Sequence, residues 1–274
     1  MTTSAETSAV DSSADDGSAD EGFARSAQQA AKRAERIRLL VQPAIILLVV
    51  VVLLAYTFTR DLSATQKETL NASTLFQRLS EHVAITFVVT ALVLAIAVPL
   101  GILLTRSGYR KLAPVFIGIA NIGQAAPAVG LLVLLFLATG KTGFWIGVLP
   151  IAFYSLLPVL RNTMLGFQQV DPSYIDAARG QGMSSSGILW RIEFPLAVPY
   201  MLAGLRTSLV LAVGTATLSF LVGAGGLGVL IDTGYKLYQP LILVVGAVLA
   251  VALALFVDWL GALAEAFLGP KGLR

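Results

Sequence analysis

The chain has 274 residues, of which 56% are hydrophobic and only 13% charged, and its mean hydropathy of +0.80 lies outside the range of a water-soluble domain. With no cysteine and a single histidine, His82, it offers no disulfide, no thiolate zinc site and no cysteine–histidine nucleophile pair. The net charge of +3 comes from lysines and arginines scattered between apolar runs, with no basic stripe interleaved with aromatics, so a nucleic-acid partner is not expected.

In chain order, residues 1–22 combine Ser, Ala and Thr with Glu6, Asp11, Asp15, Asp16, Asp20 and Glu21. Such a stretch cannot bury enough apolar surface to offset its conformational entropy and is expected to be disordered. Its acidic sign, and the length of the apolar run that follows, are wrong for a cleaved signal peptide, so the first helix is expected to stay in the mature protein. The basic run AKRAERIR (31–38) completes a tail of 1–38 and leads into an uncharged stretch at 39–59. At ~1.5 Å per residue about 20 residues cross the ~30 Å hydrocarbon layer, which makes 39–59 the first span. Further apolar runs at 83–105, 112–139, 144–160, 199–222 and 241–260, the last with a tail to 268, bring the expected total to six.

The predicted fold is therefore all-α and polytopic. A first helix and outer loop (39–80) precede a core (81–268) that contains one long polar segment (166–198), and residues 269–274 form the C-terminus. Lys and Arg accumulate in cytoplasmic loops. With the N-terminus inside, 14 of the 19 basic residues fall on the inner face, against Arg60, Lys67, Arg78, Lys141 and Lys236 outside. This places both termini and the polar segment in the cytoplasm of a multi-pass plasma-membrane protein.

Two glycine-containing stretches imitate nucleotide-binding motifs. Gly223, Gly225 and Gly228 have the spacing G-x-G-x-x-G, but they follow a membrane span rather than a strand, and on this topology they emerge outside. Helix termination and close packing are the preferred reading for them. Gly140-Lys141-Thr142 resembles the end of a phosphate-binding loop, which needs a glycine five positions earlier, where Leu135 stands. If ATP drives this protein, another subunit must bind it.

The polar segment carries the most information. Asp171 is placed to cap a helix whose first position is Pro172, and Gly180 or Gly182 to stop it in the left-handed conformation. The result is a helix of two or three turns exposing Ile175, Asp176, Ala177 and Ala178. Ser184 to Ser186 then offer a second N-cap, and Ile188, Leu189 and Ile192 share one face until Pro195 is expected to end that helix.

These residues resemble the cytoplasmic signature of permease subunits of binding-protein-dependent ABC importers: E-A-A, three residues, G, nine residues, I-x-L-P. Here the pattern reads Asp176-Ala177-Ala178, Gly182, then Ile192, Phe194 and Pro195, with Asp for Glu and Phe for Leu. The stretches 121–135, 194–208 and 214–231 resemble the osmoprotectant branch, whose members import glycine betaine, carnitine, choline or proline-type solutes. The resemblance implies an assembly of two permease subunits in membrane lipid, two cytoplasmic ATPases and an extracytoplasmic solute-binding protein. It implies that Asp176, Ala177, Ala178, Gly182, Ile192 and Pro195 dock the ATPase as a coupling helix between spans four and five. ATP would be used by that partner, with no cofactor and no metal bound by this chain and no catalytic residue in it.

Asn121, Gln124 and Pro127 are polar or helix-loosening positions within the third apolar run, and either line a translocation path or pack between helices. His82, beside Glu81, and Asp258, beside Trp259, are expected at the membrane interface. No cage of aromatic faces for a quaternary ammonium is evident, Tyr235 and Tyr238 being too few, so solute recognition is assigned to the binding protein. The alternatives are an ABC permease for another small amino-acid-like solute, or an ATP-independent secondary transporter. The latter usually needs ionisable residues near the bilayer centre, and the middle of every predicted span lacks them.

Overall fold

The structure, a computed structural model, describes residues 39–268, so the tail 1–38 and the C-terminus 269–274 lie outside the described residues. The chain divides into two units, Met1–Ile45 and Ile46–Arg274. Of the first, residues 39–45 are described and form the opening turns of α1 (Leu39–Phe58). The second holds the rest of α1, then α2 (Ala64–Thr69), α3 (Ala72–Thr105), α4 (Ala113–Ala125), α5 (Ala128–Thr139) and α6 (Phe144–Gln168). After these come α7 (Pro172–Gly180), α8 (Ser185–Ile188), a π turn (Leu189–Glu193), α9 (Phe194–Ala216), α10 (Gly228–Lys236) and α11 (Pro240–Leu268). The expected all-α class holds for the described residues.

Among the described residues, five helical stretches are long and apolar enough to cross a membrane: α1, α3, α6, the continuous run Ser185–Ala216, and α11. The third predicted span, 112–139, is not one helix. It breaks at Ala126 and Pro127, and its halves meet at 99°. Proline pushes the residue before it out of the helical region, and Ala126 is extended, with φ −67° and ψ 141°. The second span also differs, starting at Ala72 rather than Val83, because Asn71 caps it by accepting a hydrogen bond from the Thr74 N–H at 2.8 Å. Its first turns are polar but helix-compatible, so a reading based on apolar runs cuts the helix short.

The centre of the bundle is α6, packed between α3 and α9. Ile85, Val89, Val93 and Ala97 repeat every four residues on α3, all fully buried in one cluster with Val148, Ile151 and Leu160 of α6 and Ala212 and Ala216 of α9. Lipid tails are as apolar as these side chains, so contact density rather than escape from water holds such helices together. Gly204 shows how close they come: a Cβ there would lie 2.6 Å from the Asn162 Cβ and 2.7 Å from the Pro158 carbonyl oxygen.

Beyond α9 the chain makes the glycine-rich turn, and its function is backbone geometry. Gly223, Gly225 and Gly226 have φ of +72°, +88° and +91°, a region that L side chains enter at a cost. A side chain at Gly225 would strike the Glu81 carboxylate, and one at Gly228 the Thr217 carbonyl. The turn's free N–H groups are met by α3: the Gly226 N–H donates to Glu81 Oε2 at 2.9 Å and the Leu227 N–H to His82 Nδ1 at 3.2 Å. His82 Nε2 is 3.0 Å from the Val213 carbonyl. With Nδ1 accepting, the ring proton sits on Nε2 and is donated to that carbonyl. His82 is therefore fully buried, not interfacial as expected, because the longer α3 turns it toward α9.

Asp258 is likewise not a simple interfacial anchor. Arg206, midway along α9, donates from Nε and Nη2 to the two Asp258 oxygens at 2.6 and 2.9 Å, and from Nη1 to Glu265 at 3.1 Å. Arg206 falls within the fifth predicted run (199–222), and the fold pairs it with two carboxylates of α11. The charges escape notice in a residue-by-residue reading because their partners lie 52 and 59 positions away.

An orphaned buried hydrogen-bonding group costs about 1–3 kcal/mol. His82→Ala orphans the Leu227 N–H and removes a donor from Val213. It is expected to lower the thermal midpoint of the detergent-purified protein and to speed amide exchange at Leu227, both measurable without a transport assay. An unchanged midpoint and exchange rate would show that the imidazole does not hold the turn.

Candidate functional site

The polar segment between α6 and α9 is made of capped pieces. Asp171 accepts from the Ser173 N–H at 2.8 Å and Pro172 takes the first helical position, as N-cap chemistry dictates. That backbone N–H holds the Asp171 carboxyl below the usual carboxylate range. The cap is thus fully present above the ordinary carboxylate pKa and is lost as pH falls through the lowered one. At the other end the stop is Gly182, with φ +78°, rather than Gly180, which stays helical. The Gly182 N–H donates to the Arg179 carbonyl at 2.9 Å and the Met183 N–H to the Ala178 carbonyl at 3.0 Å, the two bonds of a Schellman turn. Ser184 then caps α8 by accepting from the Gly187 N–H at 3.2 Å.

The six docking candidates fall into two groups. Ala177, Ala178, Ile192 and Pro195 line one groove of about 390 Å³ together with Tyr174 and Arg191. Asp176 and Gly182 stand outside it on exposed backbone. Asp176 is 73% exposed with Arg179 Nη1 at 3.6 Å, a pair too solvated to contribute much to stability. The expectation that α7 exposes Ile175 through Ala178 is corrected: Ile175 is half-buried and Ala178 buried, because that face packs toward the π turn.

Pro195 does not end the second helix either. Helix runs without interruption from Ser185 to Ala216, and Leu189–Glu193 widens into a π turn in which the Phe194 N–H reaches back to the Leu189 carbonyl. A proline ring clashes with the carbonyl four residues before it, and a widened turn at that point relieves the clash.

Four residues at the root of this segment, Arg106, Phe167, Trp190 and Glu193, carry contacts that the sequence pattern did not single out. Glu193, in the π turn, is buried and takes both prongs of Arg106, the residue that ends α3: Nη1 donates to Oε1 at 3.0 Å and Nη2 to Oε2. The Arg106 guanidinium lies over the Phe167 ring at 5.6 Å from its centroid. Phe167 meets Phe194 edge-on, and Phe194 packs against Trp190. The available signal was an acid at 193 between Ile192 and Phe194, inside an otherwise apolar run.

The three residues proposed for a translocation path lie on and beside α4. Asn121 and Gln124, three apart, share a face of that helix. Asn121 Oδ1 accepts from Arg161 Nη2 at 2.9 Å, which ties α4 to α6. Gln124 is half-buried, and Pro127 is the exposed residue at the start of α5, at the break rather than within a span.

Residues 97–268, which contain the capped segment, the π turn and the glycine-rich turn, match the family described as binding-protein-dependent transport system inner membrane component. The chain belongs to this family. The permease is a multi-pass inner-membrane protein, as the apolar helices require. It is 38% identical over 206 residues to the choline transport system permease protein OpuBB of Bacillus subtilis (strain 168), covering 74% of this chain and 93% of that one. It is 37% identical, over the same length and with the same coverage, to the glycine betaine/carnitine/choline transport system permease protein OpuCB of that organism. In three dimensions the permease is similar to a chain of the MetNI methionine ABC transporter in an inward facing conformation. The TM-score is 0.65 at 24% identity, over 76% of this chain and 100% of the other, a likeness of fold.

Gly182→Val places a β-branched side chain at a left-handed position and should cost about 1–2 kcal/mol at that turn. Hydrogen exchange at Gly182 and Met183 should quicken roughly five- to thirtyfold while amides of α6 and α9 keep their protection. Uniform quickening across the bundle, or none, would contradict the local role of this turn.

Proposed function

We propose that the permease forms the translocation path of an ATP-driven importer of compatible solutes, of glycine betaine, carnitine, choline or proline type. In this reading two permease subunits in membrane lipid associate with two ATPases that dock from the cytoplasm and with one extracytoplasmic solute-binding protein. ATP is bound and hydrolysed by the docked partner, and this chain needs no cofactor of its own. The observation that carries the reading is the short helix α7, capped by Asp171 and stopped by Gly182, standing outside the apolar body within a chain over a third identical to choline and betaine permeases. A helix held at both ends by its own caps is a stiff handle. It lets a partner push on α6 and α9 without unwinding the segment that it holds.

The basic residues support an orientation with both termini and α7 in the cytoplasm and the glycine-rich turn outside. The 99° break between α4 and α5 supports a path at that place, since non-helical backbone at membrane depth is tolerated only against protein or a water-filled cavity.

Vesicles carrying the permease with its ATPase and binding protein should accumulate labelled glycine betaine or choline when ATP is present on the α7 side, and not without it. Accumulation independent of ATP would overturn the reading. Because the chain has no cysteine, Ser185→Cys supplies a single thiol for topology. It should resist a membrane-impermeant maleimide on intact cells and react once they are opened, and labelling of intact cells would place α7 on the wrong side for an ATPase.

A further inference from the structure

A displacement of α7 reaches α6 and α9 directly, because α7 is covalently continuous with both. The helix α3 has no such link. It packs on α6 and α9 along their length, yet beside α8 and the π turn it is separated from the segment by a groove of about 580 Å³. Val98, Ile102 and Leu103 line one side and Ser186, Leu189 and Trp190 the other. Arg106 and Glu193 bridge the two sides.

This bridge has properties that stability alone does not account for. The Glu193 side chain is 9% exposed and that of Arg106 40%, so burial penalises one partner while solvent screens the other, and such a pair is a weak source of stability. What a two-pronged arginine–carboxylate pair adds is direction: it fixes orientation as well as distance. Here it joins Arg106, the residue that caps the C-terminus of α3, to the π turn. Through the Phe167 face under Arg106 and the Phe194 edge beside it, the same pair is braced by the ends of α6 and α9.

We propose that Arg106 and Glu193 are positioning residues that clamp the end of α3 to the root of the docking segment, so that movement of α7 is delivered to α3 together with α6 and α9. The inference rests on the reading of α7 as the ATPase-docking element. Neither residue lines the groove that holds Ala177 and Ile192, so the clamp transmits the docking event without taking part in it.

The test is the ratio of ATP hydrolysed to solute imported by the reconstituted complex. Glu193→Gln keeps the side chain's length and Arg106→Gln leaves a shorter polar one, and either removes the charge pair. Hydrolysis by the partner is expected to stay within about twofold of wild type while uptake falls at least about tenfold, the size of an ordinary coupling free energy. Uptake and hydrolysis falling in parallel, or both unchanged, would overturn the clamp. A second arm holds even if the glutamine variants assemble poorly. In this cysteine-free chain, Arg106→Cys with Glu193→Cys can be joined by a short thiol-specific cross-linker. Joining them should raise uptake above that of the same double variant left unjoined, and no rise, or a loss, would mean that the two ends do not travel together. Failure of the clamp is distinct from failure of the parent reading: wild-type complexes that show no ATP-dependent uptake remove the importer itself, whereas unaffected variants in an active complex remove only the clamp.

Discussion

The constraint on which this structure depends is that a backbone N–H or C=O within an apolar body needs a partner from the protein, since hydrocarbon supplies none. Helices meet that need internally, so the places where helix geometry lapses are the informative ones. The glycine-rich turn is closed by groups from outside itself: Glu81 and His82 reach in from α3, Ser219 Oγ donates to the Gly225 carbonyl at 2.9 Å, and the Gly143 N–H meets the Val222 carbonyl at 2.7 Å. The π turn keeps its N–H groups within the helix by reaching one residue further back. Such a lapse survives because neighbouring helices hold it, and it ties those helices together in return.

The same logic governs charge. A hydrogen bond from a charged group is directional as well as attractive, so such contacts fix which helices stay adjacent. Arg206 binds α9 to α11 through Asp258 and Glu265, Arg161 binds α6 to α4 through Asn121, and Arg106 binds α3 to the π turn through Glu193. Apolar packing among helices in lipid is nearly indifferent to small slides, because one leucine contact resembles the next. A hydrogen bond from a guanidinium is not indifferent. These contacts are therefore read as register pins in a bundle whose bulk could otherwise slip.

What the sequence made legible was local or additive. Apolar run length located the spans, and the grammar of Asp171, Pro172 and Gly182 placed α7 with its caps, because each of those signals lies within a few residues of the feature it specifies. What escaped was set by tertiary partners. His82 looked interfacial because its burial depends on Leu227 and Val213, 145 and 131 positions away. Pro195 looked like a stop because relief through a π turn depends on the packing around it, and Pro127 was read as loosening a span that it in fact divides. Of the docking candidates, the spacing gathered six residues into one motif. The fold puts four of them along a groove and leaves Asp176 and Gly182 outside, a split that depends on how α7 lies against the π turn and not on spacing.

That split bears on how a partner could use the segment. Ala177, Ala178, Ile192 and Pro195 span α7, the π turn and the first turn of α9, so their groove exists only while α7 lies against the root of α9. Asp171 and the Schellman turn at Gly182 keep α7 rigid, but rigidity alone would let it swing as a unit about its two short connections. The packing of Ala178 and Ile188, both 4% exposed, opposes such a swing. A partner seated on α7 therefore meets an element that is stiff within itself and seated against α9, and force applied there must either break that seat or move the helices beneath it. The second outcome requires only the rigid-body motion that a packed core of α3, α6 and α9 allows, whereas the first exposes Ala178 and Ile188 and opens the groove. If α7 docks the ATPase as proposed, the balance between the two makes its buried face, as much as its exposed face, matter to coupling.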